Sequence, residues 1–418
     1  MSCDNMVQNN ETRLNNLKSQ NGFEDCMKGI YFKKNGDYKQ MKYYLLKAVE
    51  QGNTQAMLSL ASFYKRTKKN FDKMKKYYDL AIEHGDYNAL HDLGLYYEGI
   101  NNFKEMKKYY KLAIEKNIGL SMALLGNYYR ENKKIDKMMK YFDMGIKNNE
   151  PMAMAYLAKY YEEQEDYDNM VKYYKMAADK SFGGAMLELG IYYQHTEKNY
   201  PEMKKYYLMA INQNNPTAML NLGLYYEFIE NDVNKMKKYC KMSALNGNEI
   251  AQFCLASYYQ EQKKYDKMEK YLLLASQGDN YEIKNKALSN LAIYYQYETK
   301  DYDKMLKCYN LFDLDFDDKK VKNKVLLHQG LYYQHVAKDY KKMLKYFMLG
   351  ADNSSIECLG GITNWLIVTA GDMKTGSIYL NMFRRFGEDF FEQYLNTIKT
   401  QIREDSYQKL LKELEKLN

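Results

Sequence analysis

The side chains of this chain that could do chemistry are five histidines, six cysteines and a run of aspartates, and their spacing matches no common catalytic pattern. His84, His91, His195, His328 and His335 form no H-E-x-x-H pair that would set two imidazoles on one helical face for zinc. No G-x-x-x-x-G-K-S/T or G-x-S-x-G turn is present to cradle a phosphate or expose a nucleophilic serine. Cys3, Cys26, Cys240, Cys254, Cys308 and Cys358 contain no C-x-x-C pair and no regular framework, which points to a reducing compartment and to small core side chains. Asp313, Asp315, Asp317 and Asp318 begin like a calcium loop, but Asp318 stands where that loop needs Gly and Lys324 where it needs a bidentate Glu. The reading is a chain that is not an enzyme, with no catalytic residue, no metal and no cofactor.

Two other sets of residues recur in a way that suits binding. Lys65, Glu98, Arg130, Glu162, Gln194, Glu227, Gln260, Gln296 and Gln334 each follow a pair of aromatic residues, and most can hydrogen-bond an extended peptide or meet a basic partner. Three residues earlier stand Ser62, Leu95, Asn127, Lys159, Ile191, Leu224, Ser257, Ile293 and Leu331, alternately polar and apolar. The second set is Lys76, Lys108, Lys140, Lys172, Lys205, Lys238, Lys270, Lys307 and Lys345, a basic column that could track an anionic nucleic acid or membrane surface. Arg is too scarce to accompany that column with forked phosphate contacts, and an AT-rich coding sequence accounts for the same Lys excess. The net charge of +8 over 418 residues is modest.

What must hold such columns in register is a repeat. Met41, Met74, Met106, Met138, Met170, Met203, Met236 and Met268 recur every 32 or 33 residues, and Met305 and Met343 follow after longer steps. Self-similarity at this period marks stacked helical modules that pack only on their neighbours. One module reads NALHDLGLYYEGINNFKEMKKYYKLAIEKN from Asn88 to Asn117. Ala89, Leu93, Gly94 and Tyr97 share one helical stripe, and Phe103, Met106, Tyr110, Ala113 and Ile114 share another, so the module is an antiparallel pair of helices.

Local signals mark the ends of these helices. Four residues before the Met stands Asp37, Asn70, Asn102, Asp166, Asn199, Asp232, Asp301 or Asp339, each able to cap orphan N–H groups; Lys134 and Lys264 are the exceptions. Gly52, Gly85, Asn117, Asn149, Asn214, Gly247 and Gly278 follow the second helix and tolerate a left-handed turn. Gly94, Gly126, Ala158, Gly190, Gly223, Ala256, Ala292 and Gly330 leave room for close helix approach, with the neighbouring tyrosines expected to fill the space beside them. The Met column falls on the buried stripe and reads as core.

The pattern A-x-x-x-L-G-x-Y-Y, then Y-x-x-M-x-K-Y-Y-x-x-A with Gly or Asn after it, resembles the tetratricopeptide repeat and, more closely, its Sel-one-like relatives. It departs from them in having Met where Ala usually opens the second helix. The resemblance implies a right-handed superhelix whose first helices line the concave side, and an adaptor that brings proteins together. Rich in Tyr, Asn and Lys, the chain is also similar to repeat proteins of giant DNA viruses and AT-rich protists.

The expected architecture is thus an all-α, right-handed α-solenoid of about ten antiparallel two-helix repeats with a helical C-terminal cap. Residues 1–22 read as a polar arm or capping helix, 23–350 as the array, and 351–418 as the divergent cap, or else a partner-binding tail. The expected partner is a protein or peptide, favoured over nucleic acid or membrane, with no small-molecule substrate. No secretory h-region or membrane-spanning stretch is seen, so the expected location is cytoplasmic, in the host cytoplasm if the source is a virus.

Overall fold

A computed structural model of the chain describes residues 22–66 and 70–417; apart from Gly22, the expected N-terminal arm lies outside the described residues. Every regular element among the described residues is helical. The chain divides into two compact units, with the division falling between Gln213 and Asn214 in sequence. The first unit stacks six hairpins: Phe23–Lys34 with Tyr38–Glu50, Thr54–Arg66 with Phe71–Glu83, Asn88–Gly99 with Phe103–Glu115, Gly119–Glu131 with Ile135–Lys147, Pro151–Glu163 with Tyr167–Asp179, and Gly183–His195 with Tyr200–Asn212. In the second unit are four more: Pro216–Phe228 with Val233–Leu245, Glu249–Glu261 with Tyr265–Ser276, Tyr281–Tyr294 with Tyr302–Leu311, and Lys319–His335 with Tyr340–Asp352. This is an all-α repeat solenoid.

The caps explain where the second helices begin. Asp37, Asn70, Asn102, Asp166, Asn199, Asp232, Asp301 and Asp339 each accept a hydrogen bond from a backbone N–H in the first turn. Lys134 and Lys264 occupy the same position with no side-chain cap. The ends behave as expected at Gly52, Gly85, Asn117, Asn149, Asn214 and Gly247, all with positive φ. Gly278 does not: its φ is not positive, and its missing side chain instead admits Glu249, whose Cγ would lie 2.2 Å from an added Cβ. The tight turns inside most hairpins also carry positive φ, on residues as unsuited to it as Lys133, Glu165, Lys198, Lys263 and Lys300.

All ten repeat methionines are core, the most exposed being Met236 at 3%. The small column lets the helices of one hairpin meet, but the tyrosines beside it do not fill the gap. A ring from the second helix does: Tyr110 on Gly94, Phe142 on Gly126, Tyr207 on Gly190 and Phe347 on Gly330. The paired tyrosines build a separate ladder instead. Tyr97–Tyr109, Tyr129–Tyr141, Tyr161–Tyr173 and Tyr193–Tyr206 stack with ring planes within 9° of parallel, and the second unit repeats this at Tyr226–Tyr239, Tyr259–Tyr271 and Tyr333–Tyr346.

Beyond Asp352 the helices Ile356–Asn364, Met373–Asn381, Glu388–Lys399 and Glu404–Glu415 surround a core of Phe347, Cys358, Ile362, Leu380, Phe383 and Ile398. Gly361 stands where a Cβ would meet Phe347, and Tyr394 donates its hydroxyl to the Gly360 carbonyl at 2.8 Å. Tyr407, Leu410 and Leu414 of the last helix point into this core. No helix among the described residues is long and apolar enough to cross a membrane.

Candidate partner-binding surface

Within the first unit the first helices Asn88–Gly99, Gly119–Glu131 and Pro151–Glu163 touch in series, and in the second unit Glu249–Glu261, Tyr281–Tyr294 and Lys319–His335 do the same. Their outward residues therefore share one face in each unit, and that face carries the predicted ladder.

The ladder is less free than a solvated face would be. Glu98 is half-buried and accepts the Tyr110 hydroxyl at 2.7 Å; Gln194 accepts Tyr207 at 2.6 Å. In the second unit Gln296 is buried, accepting from Tyr309 at 2.8 Å and donating to the His328 carbonyl at 3.1 Å. These polar groups satisfy a phenol that sits in the core, where an unmade hydrogen bond is costly. Arg130 pairs with Glu163 of the next hairpin and donates from Nε to Asn127 at 3.0 Å. Glu162 takes the Lys159 ammonium at 2.8 Å. Glu227 and Gln334 are half-buried, Gln260 is exposed, and of the intervening residues Leu95 is exposed whereas Asn127, Ile191 and Leu224 are half-buried.

One turn further back lies a column that the sequence reading passed over. Asp92 and Glu188 are three residues before Leu95 and Ile191, and Leu124 and Tyr156 hold the same place in the two hairpins between. Burial raises the carboxyl pKa of Asp92, with Asp86 adding to it and Lys65 opposing. For Glu188 burial acts first and the Glu162 charge second. Glu227 is raised likewise by burial and by Glu261. Neither a hydrogen bond nor an ion pair among the described residues engages these three carboxyl groups; only the Lys65 charge opposes the rise at Asp92 and the Lys159 charge that at Glu188. Extending the polar ladder by one helical turn would have found this column.

The predicted Lys column is exposed throughout, Lys76, Lys108, Lys140, Lys172, Lys205, Lys238, Lys270, Lys307 and Lys345 alike. Six of these ammonium groups hang 4.9–5.8 Å above the ring of the tyrosine that follows in sequence: Lys108, Lys140, Lys172, Lys205, Lys238 and Lys345. The lysines thus cover the outer rungs of the tyrosine ladder.

Several of the other reactive groups are engaged in structure. Cys240 is buried and its thiol pushed up to about 12; Cys26, Cys308 and Cys358 are pushed up to about 11, far from the thiolate a nucleophile requires. His91 shares a hydrogen bond with Ser121 Oγ at 2.9 Å, and His328 with the Tyr297 hydroxyl at 2.8 Å. Asp313 accepts from Tyr281 at 2.7 Å, and Asp318 caps the helix Lys319–His335.

No known family model matches the chain, and no curated protein does. Among solved structures it is similar to c5321, a protective antigen of uropathogenic Escherichia coli with an SLR fold, at 18% identity over 97% of this chain and 93% of that one, TM-score 0.49. The chain is a helical-repeat solenoid. It is similar also to a Sel1 repeat protein from Oxalobacter formigenes, at 23% identity over 52% of this chain and 96% of that one, TM-score 0.39. Yeast Tom70 matches at 13% identity over 91% of this chain and 95% of its own, TM-score 0.34. These are likenesses to helical-repeat proteins, while the architecture of this chain rests on its own hairpins.

Proposed function

We propose that this chain is a non-enzymatic scaffold that holds a protein or peptide partner against the first-helix faces of its hairpins. The observation that carries this reading is the set of half-buried, unpaired carboxyl groups Asp92, Glu188 and Glu227 on those faces. A face made only for solvent would leave such groups hydrated, and one made only for packing would pair them. Leu95, Ile191 and Leu224 add apolar surface one turn away, the combination that an extended chain with basic and apolar side chains complements. The helices from Ile356 onward close the last hairpin and act as the cap that a stacked array needs.

The test is partner capture from the source cell across a salt series, with two variants. Asp92→Asn, Glu188→Gln and Glu227→Gln together should release the partner. Lys76, Lys108, Lys140, Lys172 and Lys205 replaced by Ala should retain it, and capture should survive moderate salt. The reverse pattern, with retention by the first variant, loss by the second and a steep salt dependence, would assign binding to an anionic ligand on the Lys column.

A further inference from the structure

The hairpin Pro151–Glu163 with Tyr167–Asp179 differs at one atom from the hairpins Asn88–Gly99 with Phe103–Glu115 and Gly183–His195 with Tyr200–Asn212. Tyr110 and Tyr207, which occupy the same place as Tyr174 in their own hairpins, give their hydroxyl protons to the ladder residues Glu98 and Gln194. Tyr174 should use Glu162 in this way, but Glu162 is taken by Lys159 at 2.8 Å. The Tyr174 side chain is 3% exposed and its hydroxyl has no hydrogen-bond partner among the described residues. It faces a pocket of about 360 Å³ that Tyr156, Phe182, Met152 and Glu188 also line. This volume is at the small end of ligand sites, which run from about 300 to 1,000 Å³, and suits one side chain rather than a cofactor.

Charge decides what enters. Arg130 and Lys159 line the pocket too, and each already faces its own carboxylate, Glu163 and Glu162. Glu188 is the third carboxyl group, so two cations meet three acids and one negative charge remains over. Burial and the Glu162 charge raise the pKa of Glu188, and the Glu188 and Glu162 charges help to raise that of Tyr174 after burial itself. A neutral phenol beside a carboxyl group that no hydrogen bond or ion pair engages offers two acceptors, with aromatic walls on which a cation rests favourably.

We propose that this pocket receives one basic side chain of the partner, a Lys ammonium or Arg guanidinium, with Glu188 as its counter-ion and the Tyr174 hydroxyl oxygen as a second acceptor. Its methylene stem lies along Met152 and Phe182. The proposal rests on the reading that the first-helix face receives a protein partner, and it names the chemistry of one contact on that face.

The test needs no partner. The full chain, labelled with ¹³C at methionine methyl groups, is titrated with N-acetyl-lysine methylamide, its arginine counterpart, the neutral norleucine isostere and the anionic aspartate derivative, and the Met152 resonance is followed. Both cations should shift Met152 saturably, and norleucine and aspartate should not. Glu188→Gln should weaken the cations at least about tenfold, the scale of a lost charge partner, and Tyr174→Phe about fivefold, the scale of one hydrogen bond. Unchanged resonances of the core methyls Met170 and Met203 establish that each variant is folded. Silence of Met152 toward both cations, equal response to norleucine, response to aspartate alone, or full retention in Glu188→Gln would each overturn the proposal. Any of these leaves partner capture as a separate result, and failed capture with a positive titration would instead count against the scaffold reading.

Discussion

A Cβ on Gly190 would stand 2.3 Å from Cδ1 of Tyr207, inside the closest approach that real side chains make. The ring thus occupies the volume that any other residue would need. Gly190→Ala should destabilise by about 1–3 kcal/mol through overpacking, against the roughly 0.5–1 kcal/mol that Ala ordinarily gains over Gly within a helix. Gly99 is the control, since nothing lies within 4 Å of a Cβ there. Gly99→Ala should shift the urea midpoint upward, and a parallel gain at Gly190 would refute close approach as the reason for that glycine.

Removing one hydroxyl from equivalent tyrosines should have unequal effects. Tyr110→Phe strips the half-buried Glu98 of its donor and should cost about 1 kcal/mol. Tyr174→Phe removes a hydroxyl with no partner, and should change stability by no more than a few tenths of a kcal/mol. Equal losses in chemical denaturation would mean that Tyr174 is hydrogen-bonded in solution.

His328 gives the array a pH dependence of known sign. Burial, with Lys324 adding to it, lowers its pKa from 6.5 to about 4. Below pH 6.5 the unfolded chain takes up a proton that the folded chain refuses until near pH 4, so stability is fully present above 6.5 and falls as the pH drops through this window. Because carboxyl groups titrate in part of that range, the measurement is a difference. The denaturation midpoint of wild type should fall more between pH 6.5 and 4.5 than that of His328→Gln, and parallel curves would mean that His328 is protonated in the fold.

The two uncapped second helices can be improved. Lys264 has φ −94° and ψ 70°, close to the −93° and 84° of the capping Asp232. Lys264→Asn should therefore install a cap without moving the backbone and stabilise by about 0.5–1 kcal/mol, while Asn102→Ala should lose a similar amount. A midpoint unchanged by both would show that tertiary packing alone sets these helix starts.

The module, its period and its buried spine are all legible in the order of residues along the chain. Met, Gly or Ala, and Asn or Asp recur at fixed places because helical spacing, close approach and N-capping are local demands that one hairpin poses in the same way each time. That order also marked the ladder Glu98, Arg130, Glu162 and Gln194 as polar residues on the face of the first helices. Which of these stay available was decided only by tertiary structure. Glu98 and Gln194 are drawn to tyrosines some twelve residues away on the second helix, and Arg130 to Glu163 of the following hairpin. Glu162 is drawn instead to Lys159, and that exchange leaves Tyr174 open to the pocket beside Glu188. Sequence spacing fixes the direction in which a side chain leaves its helix, but the groups it meets come from other helices, so pairing and burial appear only when the hairpins are stacked.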